Sequence, residues 1–296
     1  MITRRSVSIS LAAALGAMTV RAEERPGSSQ GRRAESQPSF EEMTRRPVVY
    51  SVPGTANVRV REGLVYKTAQ GSPLHFDLYA PAAVSRATPA VILIHGGPVP
   101  SVGARGWGMF VSYGRMLAAM GMIGIAFDHR LLSSDRLRDS ATDLADLVRY
   151  VREHASTLGI DEGRLALWAF SLGGSLVAAA LRERQKWWKL VVGYYPVLEP
   201  PAMGQDGRLS AIAALGRDAS DAPPIVLARA GRDDPAYNSA IDRFLAAANS
   251  TGATVDLFTH PKGHHAFDLL DVGERSSQII RRTLGALRNS LGVDLP

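Results

Sequence analysis

From residue 56 onward the apolar positions of the chain change spacing repeatedly, and each change predicts an element. Val58-Arg59-Val60, Leu64-Val65-Tyr66 and Leu74 to Tyr79 alternate apolar with polar, and Pro81 ends the last of them. Period-two alternation is the mark of half-buried strands, here antiparallel ones at a sheet edge. Ala90 to Ile94, Met122 to Phe127, Leu165 to Phe170 and Leu190 to Tyr194 are short apolar runs instead, and Ile225 to Ala230 and Val255 to Phe258, interrupted by Arg229 and Asp256, read as further strands. Such runs suit strands buried on both faces. Between them lie helical spacings: Phe110, Tyr113, Leu117 and Met120; then Leu144, Leu147, Val148 and Val151; then Ile241, Phe244, Leu245 and Ala248; then Ile280, Leu284 and Leu287. Leu172 to Leu181 reads as a further helix of small residues. Strand–helix alternation of this kind predicts an α/β fold: a mainly parallel sheet of about eight strands with helices on both faces. Residues 197–222 are irregular, with one short apolar stretch from Leu209 to Leu215.

The N-terminal part has a different character. Arg4-Arg5 precede an Ala-rich apolar run from Val7 to Val20, which ends at Val20-Arg21-Ala22. A charged start, a short apolar middle and a small-residue end predict a cleavable signal over 1–22, and hence a periplasmic or secreted protein. The run is about 14 residues, short of the ~20 a membrane-spanning helix needs, so no stable membrane span is expected. Thr3-Arg4-Arg5-Ser6-Val7 is similar to a twin-arginine signal. Residues 23–55 begin rich in Ser, Gln, Arg, Glu, Gly and Pro, and read as a disordered linker. The folded domain is then 56–296.

Composition narrows the function classes. Net charge is +6, but Arg4, Arg5 and Arg21 supply half of that excess, and the other bases are dispersed among acids. No basic stripe is left to serve as a nucleic-acid face. The chain has no cysteine, which excludes disulfides, thiolate metal sites and a cysteine nucleophile.

The candidate chemistry lies at strand ends. Ala169-Phe170-Ser171-Leu172-Gly173-Gly174 joins a buried strand to a helix. Small residues at −2 and +2 let a sharp turn close and lift Ser171 above the sheet. The Leu172 N–H, at the start of the following helix, can face a developing negative charge. His95-Gly96-Gly97-Pro98 follows another strand, and its glycines free the backbone to turn N–H groups inward. Asp233 and Asp234 both follow Ile225 to Ala230; one could orient a histidine and the other cap the next helix. His260, His264 and His265 follow the last strand. His265 is the candidate general base, since imidazole titrates near neutrality. Metal ligation by the three histidines is disfavoured, because their spacing is not that of a usual zinc site. The order serine, aspartate, histidine differs from the orders found on chymotrypsin-like and subtilisin-like folds.

With these residues in hand, the chain resembles the α/β-hydrolase superfamily over about residues 56–290. Within it, the chain is most similar to the esterase and dienelactone-hydrolase-like branch, including hormone-sensitive-lipase-like esterases. His95-Gly96-Gly97 resembles their HGG motif, Asp128-His129-Arg130-Leu131 their DYRL segment, and Ser171 with Gly173-Gly174 their GxSxGG elbow. Gly231-Arg232-Asp233 resembles their GxD motif, which favours Asp233, while a GxxD form would favour Asp234. Gly263 to Phe267 resembles their G-x-H-x-F ending, which implies His265. Ala169 departs from the elbow glycine. Pro98 stands at a third glycine and has no N–H to donate, which leaves Gly96, Gly97 and Leu172 for an oxyanion hole.

The resemblance implies a cofactor-free serine hydrolase acting on a small-molecule ester, with Ser171, His265 and Asp233 as its triad. Peptidase or other acyl-transfer chemistry on the same residues, and a non-catalytic secreted binding module on the same scaffold, are the rival readings. Trp107, Tyr194, Tyr195 and the stretch Leu209 to Leu215 are candidates to line a substrate pocket.

Overall fold

The computed structural model describes residues 39–83, 87–200 and 207–294. The expected signal and the first part of the expected linker lie outside the described residues. One eight-stranded sheet runs in the order β1-β2-β4-β3-β5-β6-β7-β8. Its strands are β1 Arg59–Ala69, β2 Ser72–Ala80, β3 Thr88–Ile94, β4 Ile123–Phe127, β5 Ile160–Phe170, β6 Trp188–Tyr194, β7 Ile225–Ala230 and β8 Val255–His260. β1 and β2 pair antiparallel, β2 is antiparallel to β4, and every other pairing is parallel. β3 has β4 on one side and β5 on the other, so the chain order reverses at β3. Open α/β sheets form a crevice above the strand ends at such a reversal.

The principal helices are α1 Gly108–Ala119, α2 Leu137–Glu153, α3 Ala178–Glu183, α4 Pro235–Thr251 and α5 Glu274–Ser290. Period-two side-chain alternation divides the interior between the two sheet faces. Ile92, Ile94, Leu165, Leu167 and Ala169 pack with Leu144, Leu147, Leu181 and Phe244 of α2, α3 and α4. Val91, Leu93, Ala166, Trp168 and Phe170 pack with Phe110, Tyr113, Leu117, Ile280 and Leu284 of α1 and α5. β3 and the end of β5 are thereby buried on both faces, which is why their sequences are unbroken apolar runs.

Three expectations change in detail. The two alternating segments at 58–60 and 64–66 form one strand, β1, with a register shift between Arg61 and Leu64. Gly63, with φ 67°, carries the irregularity, and its N–H donates to Asp77 Oδ1 at 2.8 Å. The expected helix Leu172 to Leu181 is a 3-10 turn over Ser171–Val177 followed by α3. Its first turn is pressed against the β3 loop and the end of β6, as described below. The linker expectation over 23–55 fails for its described part. Phe40–Arg45 is a helix with a capping box between Ser39 and Glu42. Phe40 meets the Trp107 ring edge-on, and a Cβ on Gly108 would lie 2.5 Å from the Arg45 carbonyl. The polar composition that suggested disorder is the exposed face of an arm docked on α1.

One buried carboxylate ties the sheet edge to α2. Asp143 is fully buried and takes a bidentate pair from Arg130 and a hydrogen bond from Lys67 at 2.8 Å. It links β1, the loop after β4 and α2.

α1 crosses β4 closely because both contact positions are glycine. A Cβ on Gly124 would lie 2.8 Å from the Gly114 Cα, and one on Gly114 would lie 2.3 Å from the buried Tyr79 ring. Gly114→Ala should therefore destabilise the fold by about 1–3 kcal/mol. In a free helix the same change is favourable by about 1 kcal/mol. Urea unfolding checks the sign, and an unchanged or raised midpoint would contradict this packing.

Candidate active site

The sharpest feature of the site is backbone geometry. β5 ends at Phe170, and Ser171 turns the chain with φ 51°. A side-chain-bearing residue held in that region is strained and persists only where its surroundings impose it. Three glycines make the surroundings close enough. A Cβ on Gly96 would lie 2.7 Å from Ser171 Cβ, one on Gly173 2.6 Å from the His95 carbonyl, and one on Gly174 2.6 Å from Pro196 Cβ. Ala169 faces the α2–α3 side, where its methyl group is fully buried among apolar side chains.

Above this turn the side chains form a continuous hydrogen-bonded chain. The Ser171 hydroxyl donates to His265 Nε2 at 2.8 Å, and His265 Nδ1–H donates to Asp233 Oδ2 at 2.8 Å. Asp233 bound at Nδ1 leaves Nε2 as the acceptor. Asp233 Oδ1 accepts from the Asp234 N–H at 2.8 Å. The Asp234 side chain turns away and caps α4 at the Ala236 N–H, 2.8 Å distant, with Pro235 as the first helical residue. The structure thus brings Asp233 to His265 and gives Asp234 to the helix. The acid and histidine loops are tied together: the Arg232 N–H donates to the Gly263 carbonyl at 2.8 Å. A Cβ on Gly231 would strike the Pro261 carbonyl at 2.3 Å.

Gly96 and Gly97 follow β3, beside Ser171. Among the described residues, the N–H groups of Gly97 and Leu172 donate to no other group. Gly97 rests on Leu131, whose Cδ2 lies 3.2 Å from where a Cβ would be, and Val99 N–H donates to the Leu131 carbonyl at 2.9 Å. His95 Nδ1–H donates to the Gly96 carbonyl at 2.6 Å. The His95 ring stacks on His129 with centroids 3.6 Å apart. Both rings are buried, and burial pushes His95 down to about 4 and His129 well below its ordinary value. Arg105 clamps the segment from outside: its Nε donates to Asp128 at 3.0 Å and its Nη1 to Asp77 at 2.9 Å. Burial raises the Asp128 carboxyl, and Arg105 pulls it back.

The other candidates divide. His264 Nδ1 pairs with Asp271 at 2.8 Å, and His260 packs against Phe267. The three histidines do not converge, and among the described residues no group of three or more His, Asp or Glu is placed to hold a metal ion. Tyr194 does not line a pocket; it is fully buried and donates to Thr283 Oγ1 at 2.8 Å. Tyr195 is buried with its ring centroid 4.6 Å from that of His265. Trp107 is half-buried, 6.1 Å from the His95 ring. Leu209 and Leu215 are buried on the side of α3. No helix among the described residues is long and apolar enough to cross a membrane.

Comparison with known proteins bears on the fold. Residues 76–190 match the BD-FAE family model. That span holds Gly96, Gly97 and Ser171 but ends before Asp233 and His265. A probable isoprenylcysteine alpha-carbonyl methylesterase of Arabidopsis thaliana is 29% identical over 127 residues, 43% of this chain. The match spans 29% of that relative's length. Among solved structures, a truncated carbohydrate esterase from gut microbiota is 17% identical with a TM-score of 0.64, covering 82% of this chain and 100% of its own. A thermophilic esterase of the planctomycete Thermogutta terrifontis is 20% identical with a TM-score of 0.63, covering 80% of this chain and 94% of its own. Esterase B of Lactobacillus rhamnosis is 22% identical with a TM-score of 0.61, covering 80% and 89%. The chain has the α/β-hydrolase fold.

Within this hydrolase fold, sequence reading finds the strand-end residues but misses what supports them. Arg105 and Asp268 beneath Tyr195 carry no local motif, and the Asp128-His129-Arg130-Leu131 segment does not by itself show that His129 stacks on His95. The available signals are a second histidine in Asp128-His129-Arg130-Leu131 and an aspartate three positions after His265.

The buried histidines give the stability of the protein a pH dependence. The unfolded chain protonates His95 near 6.5, whereas the folded ring resists protonation until about 4. The unfolded state therefore binds more protons in that window, and stability falls as pH drops from about 6.5 toward 4. His95 alone accounts for a loss on the order of 3 kcal/mol, and His129 shifts in the same direction. Urea midpoints at pH 7.5 and 4.5 should differ more for the wild type than for the His95→Asn/His129→Asn double variant. Equal differences would exclude the histidine pair as the source.

Proposed function

We propose that this α/β-hydrolase is a serine hydrolase that cleaves carboxylic esters through an acyl-enzyme. The observation that carries the reading is the unbroken hydrogen-bond chain from Ser171 Oγ through His265 to Asp233, both links 2.8 Å long. The esterase names of the structural neighbours support the same chemistry. Ser171 Oγ attacks the ester carbonyl carbon while His265 Nε2 takes its proton. Asp233 holds the ring with Nε2 toward Ser171 and favours the imidazolium that forms. The N–H groups of Gly96, Gly97 and Leu172 face the carbonyl oxygen as it gains charge, where one donor is worth about 2.7–4 kcal/mol of barrier. The imidazolium then protonates the leaving alcohol. Water, deprotonated by the same histidine, releases the acid and restores Ser171.

The substrate class follows from the surroundings. Among the described residues, the stretch after β6 supplies one 3-10 turn, Gly207–Leu209, and a short helix, Ala211–Ala214, with Leu209 and Leu215 buried in the core. That is a small cap, which suits short or extended esters better than long-chain triglycerides. Export through the N-terminal signal belongs to the same proposal, and an N-terminal sequence of the mature protein beginning after Ala22 would support it.

Ser171→Ala should abolish labelling by a fluorophosphonate probe and lower kcat on short p-nitrophenyl esters by about a millionfold. Retention of both activities would remove the assignment. The two aspartates should separate sharply. Asp233→Asn is expected to lower kcat by about ten-thousandfold through loss of the histidine orientation. Asp234→Asn keeps a capping side chain and should leave kcat within about threefold. A reversed ranking would make Asp234 the acid. Across an acyl series from acetate to palmitate, kcat/KM should fall beyond about hexanoate; a maximum at palmitate would refute the small-cap argument.

A further inference from the structure

His265 has a second carboxylate beneath it. Asp268 lies three residues after His265, in the short helix Phe267–Leu270, and is fully buried. Both of its oxygens are occupied: Oδ2 accepts from the Tyr113 hydroxyl at 2.7 Å and Oδ1 from the Tyr195 hydroxyl at 2.8 Å. Tyr113 comes from α1, while Tyr195 follows β6. The Tyr195 ring lies 4.6 Å from the His265 ring, centroid to centroid, tilted by 57°. This aromatic contact completes a path from the carboxylate to the imidazole. The backbone on both sides is forced: Tyr195 has φ 37° and Ala266 φ 61°. Packing for stability alone does not call for a buried carboxylate there, because an apolar residue of similar size would avoid its desolvation cost.

The charge state follows from the partners. Burial raises the Asp268 carboxyl above its ordinary value; the phenols of Tyr113 and Tyr195, and the attraction of His265, lower it. Both phenols are themselves pushed well above their ordinary range by burial and by Asp268, so they keep their protons and donate them. A carboxylate that accepts at both oxygens is the form these donors favour.

We propose that Asp268, acting through Tyr195, is a positioning residue for His265. It anchors the phenol ring that fixes the imidazole plane, and it adds a buried negative charge that favours the imidazolium formed when Ser171 loses its proton. The groups that face His265 are Ser171 from the turn after β5, Asp233 from the loop after β7, Tyr195 from the end of β6 and Tyr237 from α4. Its neighbour His264 is engaged with Asp271, and Asp234 is engaged in the α4 cap. The proposal rests on the reading of Ser171, His265 and Asp233 given above.

The full-length chain carrying Asp268→Asn tests it, with Tyr195→Phe beside it. For Asp268→Asn, kcat on p-nitrophenyl acetate should fall about 10- to 100-fold with KM within about twofold. The acidic limb of its kcat/KM profile should move to lower pH by roughly half a unit or more, because the imidazolium has lost an anion. Tyr195→Phe keeps the ring but loses its anchor, and should lower kcat about fivefold or more at unchanged KM while fluorophosphonate labelling persists. A purely structural aspartate would lower the melting temperature and the active fraction without moving the limb, and that result overturns the proposal. Where Asp268→Asn does not fold, a Tyr195→Phe protein with wild-type kcat overturns it instead. A wild type that neither labels nor hydrolyses would remove the Ser171 reading and this proposal together. Wild-type turnover with an unmoved limb removes only the proposal.

Discussion

The left-handed backbone at Ser171 is the constraint on which the rest of the site depends. A serine held at φ 51° gains nothing locally from that conformation. It is kept there because β5 is locked between β3 and β6 and buried on both faces, so the chain has no other way to leave the sheet. The turn can be this tight only because Gly96, Gly173 and Gly174 carry no Cβ where the β3 loop and the end of β6 close on it. The strain and the glycines form one device, since either without the other would leave the hydroxyl pointing elsewhere. The proposed nucleophile is therefore positioned by the sheet rather than by its own motif.

Around this turn the interior is unusually polar for a sheet buried on both faces. His95 and His129 stay neutral beneath the Gly96-Gly97 loop, Asp77 and Asp128 share Arg105, and Asp268 holds two tyrosines below His265. His95, Asp128, His129 and Tyr195 lie just beyond the carboxyl ends of their strands, and Asp77 lies within β2 beside the end of β4. Buried polar groups are costly unless partnered, and the partnered ones here, His95, Asp77, Asp128 and Asp268, restrict the backbone to one arrangement; His129 is held by its stack on His95, with neither ring nitrogen hydrogen-bonded among the described residues. The middle of the sheet is held mainly by apolar contact, while the rim around Ser171 is also held by directed bonds. A site whose loops must stay in register to within a fraction of an ångström gains from that division.

The sheet was legible because β3, β4, the end of β5 and Leu190–Tyr194 of β6 are unbroken apolar runs, which two-sided burial favours. Ser171, Asp233 and His265 stand out because each follows one of the strands, where a loop begins. The choice between Asp233 and Asp234 was not legible. Both have the spacing, and only the direction of the chain entering α4 decides which side chain caps the helix. Asp268 and Arg105 were not legible either. Their partners come from α1, from the end of β6 and from β2, distant in sequence, so no local pattern marks them. The arm Phe40–Arg45 was missed for the opposite reason: its composition is polar because only one thin face of it touches the domain.

That arm changes where the folded unit begins. The Val49 N–H donates to the Asp268 carbonyl at 2.8 Å, so the segment leading into β1 is stitched to the same short helix that carries Asp268. Gly108, at the start of α1, is shaped to receive it. A shortened chain starting at residue 56, where the strand pattern begins, would unpin the floor of the histidine loop while leaving the sheet whole. The strand pattern and the docked segment thus begin at different residues, and a tether pulling on the N-terminus would load the contact of Phe40–Arg45 with α1 before it reached the Val49 bond to the Asp268 helix.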